Sequence, residues 1–263
     1  MKLLLWQFVI LGMATVAFAD DLQNFSITTN QAAEVKQKLD AYENGKLTLQ
    51  DLNENAGAEG WRELVGYYLL HTNEITTKAK LPISRAFAGF NLFSNAINLG
   101  TEYVNVYSND WHGWRLLGAA YDSINSSNES IRVYSNDVKF GGKDAYETLA
   151  GVAIKNDRLD VVQNIVPRLM ILKSAKQTPE EDKLNLISIL LFYSIKTDRK
   201  DIFTKTLDGV DMKEVLQNDE VKKDIVSGCA YFEDEDTNKD IEKIRQEMES
   251  ATGSTNSVSS PPR

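Results

Sequence analysis

The densest run of metal-type ligands in this 263-residue chain is Asp234-x-Asp236-x-Asn238-x-Asp240-Ile241. It puts oxygen atoms at the first, third, fifth and seventh positions of a calcium loop, with an apolar eighth. Lys239 stands where that loop turns on glycine, and Arg245 where a bidentate glutamate closes it. A weak site in the range of about 10⁻⁴ to 10⁻³ M is the sharper reading; the preferred one is a solvated acidic linker capping a helix from Asp240. His71 and His112 are far apart and neither belongs to an H-E-x-x-H spacing. Cys229 lies in the apolar run Val226-Ser-Gly-Cys-Ala-Tyr-Phe232 and precedes acids, a setting for an inert buried thiol rather than a nucleophile. There is no G-x-S-x-G, Walker loop or G-x-G-x-x-G. Carboxylate pairs abound, but spacing alone does not separate a glycosidase pair from a solvated helix face. The reading is a non-enzymatic chain with no catalytic residue, metal or cofactor.

Composition narrows the class. Lys and Arg total 29 against 38 Asp and Glu, a formal charge of -9, which argues against nucleic-acid binding. With 42% hydrophobic residues and 5 prolines the chain is an ordinary globular one. Residues 1–19 read as a signal peptide: Lys2, an apolar run from Leu3 to Phe18, then Ala17-Phe18-Ala19 before Asp20 and Asp21. The expectation is an exported protein, periplasmic or secreted, with no membrane insertion after cleavage. Asn24, Asn125 and Asn128 fit the glycosylation sequon if the host is eukaryotic. Residues 251–263, mostly Ser, Thr, Asn, Gly and Pro, read as a disordered tail.

Between leader and tail the apolar period is 3.6 throughout. Expected helices run from Asn30 to Tyr42, from Ala58 to His71, and from Arg85 to Leu99 behind a Ser84 cap, with Gly100 at its end. Tyr103 to Tyr107 alternates, but reads as a helical turn because no partner strand is in sight. Asn109-Asp110 opens the next helix, Asn128 caps another, and Asp144 caps Ala145–Lys155. Leu159 to Leu172 follows, then a helix with Thr178 as cap and Pro179 in its first position, reaching Ile195. Charged helices fill 209–250, and 20–57 reads as a helical cap.

Two internal comparisons set the architecture. Ile154-Lys-Asn-Asp-Arg-Leu-Asp160 recurs as Ile195-Lys-Thr-Asp-Arg-Lys-Asp201, each copy lying between two helices as the turn of a helical hairpin. Trp61-Arg-Glu-Leu64 recurs as Trp114-Arg-Leu-Leu117, each followed by a tyrosine, Tyr68 and Tyr121. Helix pairs at such periods mark an α-solenoid.

Trp114-x2-Leu117-Gly118-x2-Tyr121 resembles the first-helix signature of the tetratricopeptide repeat. Ser130 and Tyr134 fit its second helix; Asp137 departs from the small residue expected, and no proline closes the repeat. Around Trp61 the pattern recurs with Val65 for glycine and with Ala86 and Phe90 as its second helix; the copies near Tyr146 and Ile187 are degenerate. The resemblance covers residues 58–208. It implies an all-α fold of antiparallel helical-hairpin repeats forming a short α-solenoid. It also implies a protein or peptide partner in the concave groove, or self-association. Carried position by position, His112, Arg115, Ala119 and Asp122 face that groove, then Asp144, Glu147, Gly151 and Ile154. The rival readings are an exported all-α hydrolase acting on carbohydrate and a calcium-binding structural protein.

Overall fold

A computed structural model describes residues 25–53, 57–141, 144–232 and 238–252. The leader, Asn24, Asp234, Asp236 and residues 253–263 lie outside the described residues. Among the described residues every regular element is helical, with fourteen α-helices and no strand. None of them is long and apolar enough to cross a membrane. The chain forms two compact units, residues 1–152 and 153–263.

In the first unit α1 spans Thr29–Glu43. Its cap is Thr28 rather than Asn30: Thr28 Oγ1 accepts from the Gln31 amide and Gln31 Oε1 accepts from the Thr28 amide. Thr48 and Asp51 repeat this exchange at α2, Leu49–Asn53. Helices α3 (Gly57–Leu70), α4 (Lys80–Gly89), α5 (Phe93–Val106), α6 (Trp111–Ser123) and α7 (Ser127–Phe140) follow. Helix α8, Ala145–Lys155, runs through the division between units. Val35, Leu39, Leu64, Val65, Ile83 and Phe87 centre one core cluster; Leu81, Tyr103, Leu117 and Val133 belong to a second. Tyr103 is thus helical, and the alternating stretch forms no strand.

The second unit holds α9 (Leu159–Ser174), α10 (Glu180–Lys196), α11 (Lys200–Leu207), α12 (Met212–Val215), α13 (Asp219–Tyr231) and α14 (Asn238–Thr252). Pro179 itself is the cap of α10, and the Thr178 hydroxyl donates instead to the Leu172 carbonyl at 2.8 Å. Leu191, Phe203, Leu207, Val221 and Ile225 form the core. The carbonyls at the end of α11, which have no partner within the helix, are met by one cation. Lys173 Nζ, from α9, donates to the carbonyls of Thr206 at 3.0 Å, Asp208 at 3.2 Å and Lys205 at 3.4 Å. Burial pulls the Lys173 amine below its ordinary value, with Asp208 opposing. Lys173→Met should keep the packing and lose these bonds, lowering stability by about 2 kcal/mol in urea denaturation; an unchanged midpoint would mean the cap contributes nothing.

One turn recurs in both units. Asn91, Asn125, Asp157 and Asp198 are, among the described residues, the non-glycine positions with positive φ, at 60°, 57°, 56° and 54°. Each ends a helix in the same way. The turn residue's amide donates to the carbonyl three positions back, and the next amide to the carbonyl five back, as in Leu92 to Phe87, Ser126 to Tyr121, Arg158 to Ala153 and Arg199 to Ser194. This is the Schellman closure with Asn or Asp in the left-handed position, which those side chains tolerate better than most. The following residue then starts the returning helix with φ between -84° and -107°. Successive turns are 34, 32 and 41 residues apart.

Aligned on these turns, the residues seven before (Ser84, Gly118, Ala150, Leu191) and five after (Ala96, Ser130, Val162, Phe203) are all buried. In the first unit they are helix crossings. The Ser84 hydroxyl donates to the Ala96 carbonyl at 2.7 Å, and the Ser130 hydroxyl to the Gly118 carbonyl at 3.3 Å. A Cβ on Gly118 would stand 2.9 Å from three ring atoms of Tyr134, so α6 and α7 approach as closely as they do because that side chain is missing. This register corrects two expectations. The helix from Arg85 to Leu99 is two helices, broken at Asn91, with Pro82 and Ser84 inside the first and Gly100 inside the second. In this register Ala86, within α4, and Phe90, its C-cap, align with a first helix that itself turns back at Asn91 rather than with the returning helix of a Trp61 repeat.

Candidate functional site

The polar residues the sequence singles out converge at the start of α6. Asp110 is its N-cap. Asp110 Oδ1 accepts from the His112 amide at 3.0 Å and lies 2.9 Å from His112 Nδ1, and the Tyr103 hydroxyl donates to Oδ2. Burial pushes the Asp110 carboxyl up, but the bonds from His112 and Tyr103 outweigh it and hold the group below the usual carboxylate range. The same burial, reinforced by Asp110, pushes the Tyr42 phenol up to about 12 and raises Tyr103 further. A depressed carboxylate contributes stability that is present above its unfolded pKa and lost as pH falls through the folded value. Asp110→Ala should therefore remove about 1–2 kcal/mol at neutral pH. It should also flatten the acid limb of the stability profile; a variant with the wild-type acid limb would show that other groups carry it.

One turn further along, Arg115 is enclosed. Its guanidinium carbon sits 5.1 Å from the Trp111 ring centroid, and Trp111 also stacks on His112. Arg115 Nε donates to Asp137 Oδ2 at 2.6 Å and Nη1 to Asp144 Oδ2 at 2.8 Å. Asp137, on α7, has no exposed surface, whereas the Asp144 side chain is 48% exposed. Arg115 Nη2 and Asp137 Oδ1 are buried with no hydrogen-bond partner among the described residues. Burial pulls the guanidinium down, but the two carboxylates more than compensate and the cation is held. For Asp137 burial prevails over the pull of Arg115, and its carboxyl stands above the ordinary value.

Of the groove residues named from the sequence, His112, Arg115 and Asp144 come together here. His112 is exposed on α6, and Asp122 lies half-buried two turns on, beyond Ala119. Arg115 does not face outward as the register implied, because Asp137 draws its side chain against α7. Glu147 is only 6% exposed, so its carboxylate is not offered to a ligand either. Trp114, read as core, is half-buried, its indole N–H donating to the Ser108 carbonyl at 2.7 Å. Sequence reasoning passed over Asp137, visible as a departure from the repeat pattern, and the keystone role of Asp110. An acid at a small-residue core position opposite an arginine one helix away was the available signal for Asp137.

Elsewhere, His71 pairs with Glu74 at 3.3 Å and stacks on Tyr67, apart from His112. Cys229 is buried in the second unit. A cleft of about 870 Å³ there is floored by Leu207, Met212 and Ile244, and its acids, Asp208, Asp211 and Glu247, are all exposed. No group of three metal-type ligands occurs among the described residues, and the Asp234–Asp236 part of the calcium-like run lies outside them. Comparison of the sequence with family models and with curated proteins finds no match.

Proposed function

We propose that this chain is an exported, non-enzymatic interaction module, a short solenoid of tetratricopeptide-like hairpins that binds a protein or peptide partner. The observation that carries this reading is the common turn at Asn91, Asn125, Asp157 and Asp198 with its buried residues at fixed distances on either side, small in the first two hairpins. The spacing of 34 residues equals the tetratricopeptide period and that of 32 falls just short of it, and the 41-residue step reads as an enlarged copy. Stacked hairpins of this kind expose a continuous row of first helices, the surface on which such folds take extended or helical peptides. The leader-like residues 1–19 support export.

On α6 the residues with surface on this side are His112, Ala119 and Asp122, with Asp144 held beside them by Arg115. The test uses the chain from Asp20 as bait in extract from the compartment to which it is exported. Wild type is compared with Asp122→Arg and with Arg132→Glu, the latter on the exposed side of α7. A partner held by wild type and by Arg132→Glu but lost by Asp122→Arg supports the reading. Loss with Arg132→Glu alone moves binding to the second helices, and no partner with any bait contradicts it.

A further inference from the structure

Among the described residues Asp137 is the one charged side chain with no exposed surface. One of its oxygens holds Arg115, the other has no donor among the described residues, and a Cβ on Gly141 would stand 2.6 Å from that second oxygen. Arg115 has an alternative ready: Asp144 already accepts from Nη1 at the surface, and Trp111 supports the guanidinium plane. We propose that Asp137 is an acid-operated latch on Arg115, whose guanidinium it holds against α7 when ionised and frees toward Asp144 and solvent when protonated, without opening the α6–α7 hairpin.

Three features carry this. The hairpin does not depend on the ion pair for closure, since the Gly118–Tyr134 approach and the Ser130 to Gly118 bond are uncharged. Among the described residues the charged groups facing Asp137 are Arg115 and His112 from α6 and Asp144 from the segment before α8, so ionised Asp137 leaves Arg115 shared between two carboxylates. Protonation takes the Asp137–Arg115–Asp144 set from net negative to neutral and frees a cation on the face carrying His112. The order of events also favours release over unfolding. A buried carboxyl whose folded pKa is raised takes its proton in the folded state first, so acidification through that window favours the fold. Asp110, displaced in the opposite direction, withdraws stability only at lower pH.

The test is an NMR titration of the full chain, following the Asp137 side-chain carbon and the Arg115 Nε–H signal together. The expected result is an Asp137 midpoint above the ordinary value of about 3.9. The protected Arg115 Nε–H signal should be lost at that same midpoint while Tyr134 signals stay unchanged. Asp137→Asn should show the exposed Arg115 signal at every pH, and His112→Gln should keep the transition. A midpoint at or below the ordinary value, an Arg115 signal that ignores it, or a transition that vanishes with His112→Gln overturns the proposal. The wild-type titration decides even if Asp137→Asn fails to fold.

Discussion

Arg115→Ala is expected to lower the unfolding free energy by about 3–5 kcal/mol, read as a shift of the urea midpoint at constant slope. The size follows from what is left behind. Removing the guanidinium strips Asp137 of its one hydrogen-bonded partner among the described residues while the side chain stays fully buried. The proof lies in the pair rather than the single change. Arg115→Met combined with Asp137→Leu removes both charges and fills the space, and should recover most of the loss. If the double variant is as unstable as Arg115→Ala, the loss comes from packing against Trp111 and not from an orphaned carboxylate. Arg158→Ala is the control: its pair with Asp160 lies in solvent and should leave the midpoint where it was.

Phe203→Ala should cost about 3–5 kcal/mol, the range for emptying a fully buried aromatic site. Phe203 occupies, in the fourth hairpin, the position that Ala96, Ser130 and Val162 occupy in the others. So large a side chain needs space elsewhere, and α13 provides it: a Cβ on Gly228 would come 2.0 Å from the Phe203 ring. The opposite change is therefore also damaging. Gly228→Ala should cost about 1–3 kcal/mol by overpacking, and adding Phe203→Leu should return part of it. Differential scanning calorimetry of the three variants checks this coupling, and strict additivity of Gly228→Ala with Phe203→Leu would break it.

Much of the helical order was legible because it rests on local chemistry. Asp110 as the cap of α6, the bounds Ala145–Lys155, and the two Ile-Lys-x-Asp-Arg-x-Asp turns were all visible. Those turns are closed by their own backbone bonds, from Arg158 to Ala153 and from Arg199 to Ser194, and each carries the same solvent-exposed two-pronged pair, Arg158 with Asp160 and Arg199 with Asp201. The turn at Asn91 was hidden for the opposite reason. Ala86 to Phe93 is apolar except for Asn91 and keeps a 3.6 period across the break, so nothing in the pattern separates two helices from one. Gly100, which looks like a helix terminator, instead lies within α5, where a Cβ would come 3.4 Å from the Ser84 hydroxyl of α4. The site was legible in its addresses and not in its orientation. His112, Arg115 and Asp144 do come together, but it is Asp137, an acid at a small-residue position of the repeat pattern, that explains why the guanidinium turns inward.

The most direct test of the account is photo-crosslinking from single positions on α6 and α7. A photoreactive phenylalanine analogue placed at His112 or Ala119 samples the first-helix face, and one at Arg132 samples the opposite side of the same hairpin. In the chain from Asp20, mixed with the same extract, irradiation should give one discrete adduct of higher mass from the first two positions and none from the third. Equal labelling from all three, or adducts from Arg132 alone, would contradict an interaction module that works through its first helices.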